Sequence, residues 1–267
     1  MPKTYRYRKP YRLKRKKSIL KNRFFWFSIL GLIAMAGIFY LICFSSPFQV
    51  KEIQISGNEK AKTADLHNLI SGKIPKKILF FSTKSIFLVD AQNIKKEILN
   101  NFPQIEKVNL KRKFLDKISV QIEERVPLAV FCQLENCFFI DKEGIVFESN
   151  VAREGFVTLR KEGSGEEIKL AEKIFEGTLI SKVLEIELQL KENFKILTEE
   201  VLMEGEEKAN FKTLEGWQVY INPKGDIAWQ LTKLKADLDE EIPQERRKDL
   251  EYIELRFGNF ASYKYTR

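Results

Sequence analysis

The chain contains one long apolar run, and its other apolar residues follow short alternating or helical patterns. The run extends from Phe24 to Phe44 and holds 21 residues without a charge. A helix of that length covers roughly 31 Å, close to the hydrocarbon thickness of a bilayer. A buried helix of a globular domain rarely stays apolar on every face for so long. The pattern therefore predicts a transmembrane helix at residues 24–44.

A basic segment precedes this helix. Residues 1–23 contain eleven Lys or Arg and no Asp or Glu. A short basic flank stays on the cytoplasmic side, so we expect a single-pass type II protein of the cell inner (plasma) membrane, with its bulk extracytoplasmic. A cleavable signal peptide fits less well, because the apolar run exceeds the usual ~7–15 residues and Ser45-Ser46-Pro47 offers no A-x-A-like site.

Residues 48–125 show the order strand, helix, helix, strand, strand. The first strand is predicted from Phe48 to Ile55, with a bulge near Lys51-Glu52, where the apolar residues change parity. Thr63 and Asp90 are the predicted N-caps of two short amphipathic helices. A short connection joins the last two strands into an antiparallel hairpin. The alternating apolar residues of that hairpin are Val108, Leu110, Ile118, Val120 and Ile122.

The remaining residues give mainly strand patterns, and Asp141–Gly144 is a hairpin turn signal between two apolar runs. Amphipathic helices are predicted at residues 178–194 and after Asp226. A last strand is predicted from Tyr252 to Phe257. The predicted fold class is therefore α+β, and its parts are a basic cytoplasmic tail (1–23), a transmembrane helix (24–44), a β-α-α-β-β domain (48–125) and a β-rich domain with two helices (126–267).

The net charge of +9 arises from the tail, because the residues beyond position 23 carry 35 basic and 37 acidic side chains. Tyr5, Tyr7 and Tyr11 lie among the basic residues, a composition that nucleic-acid-binding arms also show. We favour a topology signal that attracts anionic lipid, since no folded nucleic-acid motif accompanies it. No nucleic-acid partner is expected.

Two cysteines, Cys132 and Cys137, flank a short polar stretch. If that stretch is a hairpin loop, the two thiols face each other across neighbouring strands, and an oxidising compartment would allow a disulfide. Two separate buried thiols fit the sequence nearly as well. A metal site is not expected, because a tetrahedral site needs further Cys or His ligands and the chain contains one His.

Groups that would support catalysis are few. His67, the single histidine, lies on a short predicted helix, and the chain contains no G-x-S-x-G elbow. Neighbouring acids such as Glu123 and Glu124 point to opposite faces of a strand. We therefore expect no enzymatic activity, no cofactor and no small-molecule substrate.

Three motifs behind the predicted membrane helix resemble the FtsQ/DivIB family of bitopic bacterial cell-division proteins. They are Val50–Asn58 with its Ser-Gly-Asn, Asn101–Val108 with its Asn-Phe-Pro, and Ile122–Ala129 with its Glu-Arg-Val-Pro. The segment Tyr252–Asn259, YIELRFGN, is similar to the family's Y-[IV]-[DE]-L-R-[FY] ending. The resemblance implies that residues 48–125 form a POTRA domain and residues 126–267 a C-terminal β domain.

The resemblance also implies a scaffold of the divisome, located at the septum, that links early and late septation proteins. Its implied partners are bitopic coiled-coil proteins of the FtsB/FtsL type. We expect them to bind at the last predicted strand, because an edge strand can accept a further strand. The expected partner-binding residues are Tyr252, Glu254, Arg256, Phe257, Asn259, Phe260 and Tyr263. A membrane-tethered envelope enzyme, or a regulator acting on cell-wall polymer, is the alternative.

Overall fold

The computed structural model describes residues 23–75, 77–78, 81–113, 116–163 and 167–266. Residues 1–22 of the predicted basic cytoplasmic tail (1–23) lie outside the described residues, and Arg23 is the first residue of a helix. The predicted α+β fold class is confirmed: an apolar helix is followed by a mixed α and β region and then by a β-rich region with helices.

Helix α1 spans Arg23–Phe44. It is long and apolar enough to cross a membrane by length and composition, and nearly all of its side chains are exposed. Cys43, in its last turn, is buried. Apolar exposure around the whole circumference is the surface that contact with lipid requires. Helix α1 is therefore a candidate membrane span.

The predicted β-α-α-β-β order is present. Its elements are β1 Glu52–Ser56, α2 Thr63–Lys73, α3 Ala91–Asn101, β4 Ile105–Lys113 and β5 Lys117–Glu124. A two-stranded hairpin lies between the helices, with β2 at Lys77–Ile78 and β3 at Phe81–Ser82. The three long strands form a sheet in the order β1-β5-β4. Of the alternating apolar residues of the hairpin, Leu110, Ile118, Val120 and Ile122 are buried and Val108 is half-buried. The buried residues of the two helices are Leu66, Ile70, Ile94 and Ile98.

The predicted start of the first strand is wrong. A 3-10 turn occupies Ser46–Phe48, and β1 begins only at Glu52. Between them, Gln49 forms an isolated bridge with Ser85, and the Val50 N–H donates to the Lys84 carbonyl at 2.9 Å. The change of parity thus reflects two short segments with different partners, and not a bulge in one strand.

The β-rich region contains a nine-stranded sheet in the order β14-β13-β12-β11-β10-β9-β6-β7-β8. Helices α4 (Gly177–Phe194) and α5 (Ile227–Ala236) share one buried core with alternate strand residues such as Phe131 and Phe211 and with Trp217, just before β12. The strands are β6 Ala129–Gln133, β7 Asn136–Ile140, β8 Val146–Ser149, β9 Thr158–Lys161, β10 Thr198–Met203, β11 Ala209–Thr213, β12 Gln218–Ile221, β13 Leu250–Glu254 and β14 Ser262–Tyr265.

A loop covers the β8 end of this sheet. The Ala171 N–H donates to the Val146 carbonyl at 2.8 Å, and the Val146 N–H donates to the Glu172 carbonyl at 3.0 Å. Ile145, just before β8, forms a bridge with Lys173. The backbone groups at the start of β8 are therefore already paired on the outer side of the sheet.

The prediction that the strand after residue 250 forms the edge of the sheet is wrong. Strand β13 pairs with β12 in parallel and with β14 in antiparallel orientation, so it lies inside the sheet. It also ends at Glu254, three residues earlier than predicted. Ile253 and Leu255 are buried, but Phe257 is 65% exposed. The chain leaves the sheet after Leu255 and returns as β14.

Cys132 and Cys137 occupy opposite positions in the β6–β7 hairpin. The structure joins them by a disulfide, with their Cα atoms 4.2 Å apart. They lie on the sheet face opposite to the main core, in a small cluster with Val130. The Arg153 Nε donates to the Cys137 Sγ at 3.2 Å.

The described residues form two compact units. One consists of the described residues of 23–53, 73–90 and 112–118, and therefore contains α1. The other consists of those of 54–72, 91–111 and 119–266, and contains the whole nine-stranded sheet.

Within the second unit, Glu124 and Arg125 of the motif at residues 122–129 contact the residues that follow the Ser-Gly-Asn turn, the motif at residues 101–108 and the turn at Asp141. The Glu124 carboxylate accepts hydrogen bonds from the backbone N–H groups of residues 59–61 at 2.9–3.1 Å. Burial favours a higher pKa for Glu124, but these hydrogen bonds outweigh it and hold the pKa below its usual value.

Arg125 connects two further motifs. Its Nε donates to the Pro103 carbonyl at 3.2 Å, and its guanidinium forms an ion pair with Asp141. The two paired side chains are only 10% and 2% exposed. The Asp141 Oδ1 also accepts the backbone N–H groups of Glu143 and Ile145 at 2.9 and 3.0 Å, which satisfies the buried carboxylate. These bonds fix the path of the chain from β5 into the nine-stranded sheet.

Candidate protein-binding site

Strand β14 is the outermost strand at one end of the nine-stranded sheet. In the part of the chain that the structure describes, no strand lies on its outer side. It pairs with β13 in the register Tyr252–Lys264, Ile253–Tyr263 and Glu254–Ser262. Because backbone groups of an antiparallel strand point alternately to its two sides, every second N–H and C=O pair of β14 points away from β13.

Three of the predicted binding residues lie beside this edge, on the sheet face opposite to the helices. The Tyr252 ring lies 5.5 Å from the Tyr220 ring, measured between centroids. Arg256 donates to both carboxylate oxygens of Glu254, at 2.9 and 2.6 Å. The hydrogen bond to Glu254 raises the pKa of Arg256. The Arg256 guanidinium also lies 4.7 Å from the centroid of the Phe257 ring. The two charges therefore compensate each other in a mostly buried pair.

The segment between β13 and β14 exposes aromatic side chains. Phe260 is 86% exposed and Phe257 is 65% exposed, and Asn259 between them is also exposed. Gly258 has φ +65°, a conformation that costs little for glycine. Two large apolar rings at the end of an open sheet edge form a surface suited to protein contact.

A buried lysine holds this segment in place. Lys233 on α5 is 5% exposed, and its Nζ donates to the carbonyls of Leu255, Phe257 and Gly258 at 2.6, 3.0 and 3.2 Å. Burial lowers the pKa of Lys233, and the nearby Glu254 acts in the opposite direction. The three acceptors use the full donor capacity of an ammonium group. Lys233 thus determines where the chain leaves β13.

Tyr263 differs from the other predicted residues. Its side chain is half-buried and packs against the main core, with its ring centroid 5.6 Å from that of Tyr265. The structure therefore brings Tyr252, Glu254, Arg256, Phe257, Asn259 and Phe260 to one surface at the β14 edge, whereas Tyr263 contributes mainly to the fold.

Sequence reasoning missed Lys233 and the existence of β14. Alternation in Ser262–Tyr265, where Tyr263 and Tyr265 share a face, was a signal for the strand. No such signal existed for Lys233, because lysines on amphipathic helices are usually solvated.

The described residues offer little support for metal binding or for catalysis by His67. Among those residues, no group of three or more His, Cys, Asp or Glu side chains is arranged to hold a metal ion. His67 is exposed on α2.

Comparison with known proteins identifies part of the chain. Residues 48–125 match the model of the POTRA domain of the FtsQ type. The cell division protein DivIB of Clostridium tetani is 29% identical over 152 residues, which is 56% of this chain and 54% of that protein. The cell division protein DivIB of Clostridium acetobutylicum is 27% identical over 163 residues, which is 58% of this chain and 61% of that protein. The match thus spans little more than half of the length of these curated relatives.

An apolar helix, an FtsQ-type POTRA domain and a β-rich region with an open sheet edge define a POTRA-containing protein with a candidate membrane anchor. The matching relatives bear on the family. The resemblance to the FtsQ/DivIB family found in the motifs is confirmed, because residues 48–125 match an FtsQ-type POTRA domain and the chain is similar to two DivIB proteins.

Proposed function

We propose that the protein is a membrane-anchored scaffold of the bacterial division machinery that captures bitopic coiled-coil partners of the FtsB/FtsL type. In this role it links early and late septation proteins at the division septum. Its relatives are named as cell division proteins, and neither name describes an enzyme. Within the described residues no observation favours the alternative of an envelope enzyme acting on cell-wall polymer.

The open edge of β14 is the observation that carries this proposal. A partner segment that adds as a strand gains main-chain hydrogen bonds, and the neighbouring side chains select its sequence. Here those side chains are Tyr252, the Glu254–Arg256 pair and the exposed rings of Phe257 and Phe260. The compensated ion pair leaves the site without a strong net charge, so we expect aromatic and main-chain contacts to dominate affinity.

A charge at Phe260 tests the proposal directly. Phe260→Asp changes a side chain that is 86% exposed, so the fold should tolerate it. We expect the variant to lose most of its co-purification with an FtsB/FtsL-type partner, because the aspartate carries an unpaired charge into an apolar contact. The matched control is Leu134→Asp at the tip of the β6–β7 hairpin, where the side chain is 82% exposed.

The measurement is partner capture from detergent-solubilised membranes, accompanied by thermal unfolding of each variant. Normal capture by Phe260→Asp, with unchanged unfolding, would place the partner site elsewhere on the molecule. Tyr263 is less suitable for this test, because a charge there would also disturb the core.

A further inference from the structure

The last turn of α1 is bonded to the rest of its own compact unit. The final carbonyls of a helix have no partner within the helix. Here the Ser85 Oγ donates to the Ile42 carbonyl at 3.1 Å, and the Gln49 Nε2 donates to the Cys43 carbonyl at 3.0 Å. The Thr83 hydroxyl also donates to the Cys43 carbonyl. Thr83 and Ser85 are themselves buried. The helix therefore runs into the folded unit without a free linker.

This connection determines which residues lie at the level of the membrane surface. Helix α1 has 22 residues and covers about 33 Å, so its C-terminal end reaches the boundary of the hydrocarbon core if α1 spans the bilayer. Residues whose side chains bond to the last carbonyls must lie at the same boundary. The segments around Gln49 and Ser85 are consequently held at the interface between lipid and water.

These segments expose aromatic surface. The Phe87 side chain is 51% exposed, and its ring centroid lies 5.5 Å from that of the half-buried Phe48. Lys84, between the two anchoring hydroxyl residues, is also exposed. An exposed aromatic pair beside a lysine, at the end of a membrane helix, has the composition of a membrane-interface contact.

The charge of the surrounding sequence has one sign. From Leu66 to Val89 the chain contains four lysines, Lys73, Lys76, Lys77 and Lys84, and no Asp or Glu. Anionic headgroups attract lysines that lie within a Debye length of the membrane surface. The exposed Lys84, in a sequence segment without acids, is thus complementary in charge to a bilayer that contains anionic phospholipid.

We propose that Phe48, Phe87 and Lys84 form a membrane-contact surface that docks the first compact unit on an anionic lipid bilayer. The two rings enter the interfacial layer, and the lysine faces lipid phosphates. This inference rests on the proposed membrane span of α1, which the experiment below tests separately. The same experiment distinguishes lipid from a protein partner that covers this surface.

Spin labels on the full chain in lipid vesicles test the proposal. The background is Cys43→Ala, because Cys132 and Cys137 are joined in the structure. Single labels are attached after Lys84→Cys at the proposed surface, after Ala36→Cys in the middle of α1, and after Glu192→Cys on an exposed position of α4. Collision rates with oxygen, which concentrates in lipid, and with a water-soluble nickel chelate report the depth of each label.

In vesicles of phosphatidylethanolamine with phosphatidylglycerol, the label at position 84 should collide more with oxygen and less with nickel than the label at position 192. The contribution of Lys84 is measured with this lysine in place, by a label after Ser82→Cys: its difference from position 192 should decrease in phosphatidylcholine alone, because the headgroup attraction is lost. If the label at position 84 has the same collision rates as the label at position 192, the proposal is overturned. Protection from both reagents also overturns it, because the surface is then covered by protein.

Two further variants test the contribution of the ring. Phe87→Asp should shift the reading at position 84 towards that at position 192, whereas the matched Leu134→Asp should leave it unchanged. Unchanged collision rates at position 84 in Phe87→Asp overturn the role of the aromatic pair.

The label at position 36 separates the docking proposal from the membrane-span proposal. If collision rates indicate hydrocarbon at position 36 and water at position 84, only the docking is rejected. If they indicate water at position 36, the membrane span itself is rejected.

Discussion

Lys233 is a buried charge whose whole donor capacity is used by one short segment of backbone. Its three acceptors, the carbonyls of Leu255, Phe257 and Gly258, belong to the chain that connects β13 to the open edge strand. An unpaired buried ammonium would be costly, so this position is stable only when the segment has its present course. The lysine therefore acts as a positioning residue for the proposed binding site, without touching a partner.

Replacing this lysine should loosen the site. Lys233→Met keeps the apolar stem but leaves three carbonyls without their donor, at a cost of roughly 1–3 kcal/mol in the free energy of unfolding. We expect backbone amides of residues 255–261 to exchange hydrogen faster and partner capture to weaken. The control is Lys235→Met, two residues along the same helix, where the side chain is exposed. Equal exchange in both variants would contradict a positioning role.

The Cys132–Cys137 bond is a second expectation at this scale. The bond closes a short loop, since the cysteines are five residues apart, and loop-closure entropy gives it a stabilising effect of about 2 kcal/mol. We expect protein purified from the cell envelope to yield the joined peptide in mass spectrometry without reduction, and reductant to lower its unfolding temperature. Two thiols that can be alkylated in this material would show that the bond does not form.

At the scale of elements, the connection after β5 combines three separate motifs. Glu124 accepts backbone N–H groups that follow the Ser-Gly-Asn turn, while Arg125 reaches Pro103 and Asp141. Each motif looked like an independent turn or strand signal in the sequence. The structure shows that they supply partners for two neighbouring side chains.

The low pKa of Glu124 makes this connection sensitive to acid. A carboxylate whose pKa is depressed by folding stabilises the protein above its unfolded-state pKa, and this contribution is lost as the pH falls through the folded-state value. Glu124→Gln should therefore cost roughly 1–3 kcal/mol near neutral pH and reduce the loss of stability on acidification. Unfolding curves at several pH values measure both effects.

The neighbouring residue provides the control for this prediction. Glu123 is exposed, and its ion pair with Lys107 at 3.2 Å lies at the surface. Glu123→Gln should change the free energy of unfolding by less than about 1 kcal/mol. A similar acid response in both variants would show that the capping of residues 59–61 is not responsible.

Sequence patterns predicted elements where periodicity and capping agree. Helix α2 begins at Thr63, within one residue of the predicted start, and Asp226 caps α5 by accepting the Trp229 N–H at 2.9 Å. The patterns failed where the partner of a strand decides its limits. Strand β13 ends early because carbonyls beyond it bond to Lys233, and the pairing of β14 lies outside any local pattern. The motif thus indicated the proposed binding segment, while the geometry of that segment required the tertiary structure.

At the scale of the whole molecule, orientation in the membrane is the first expectation to test. The eleven basic residues before the apolar run predict a cytoplasmic N-terminus and an extracytoplasmic region after residue 47. Protease added to spheroplasts should then digest the large folded region, and lysis should not be needed. Full protection of that region in intact spheroplasts would reverse the orientation.

The septal location is a separate expectation. A fluorescent fusion that spreads evenly over the membrane would count against it.

The two ends of the nine-stranded sheet have a consequence for stoichiometry. The start of β8 is already paired with residues 171–173, whereas the outer side of β14 has no strand among the described residues. Two copies of the sheet therefore lack the pair of complementary free edges that head-to-tail growth requires. A partner strand added at β14 would complete the sheet, so each chain should take up one such strand and then stop. Capture by strand addition should thus bind one partner strand per chain and should not lead to polymers.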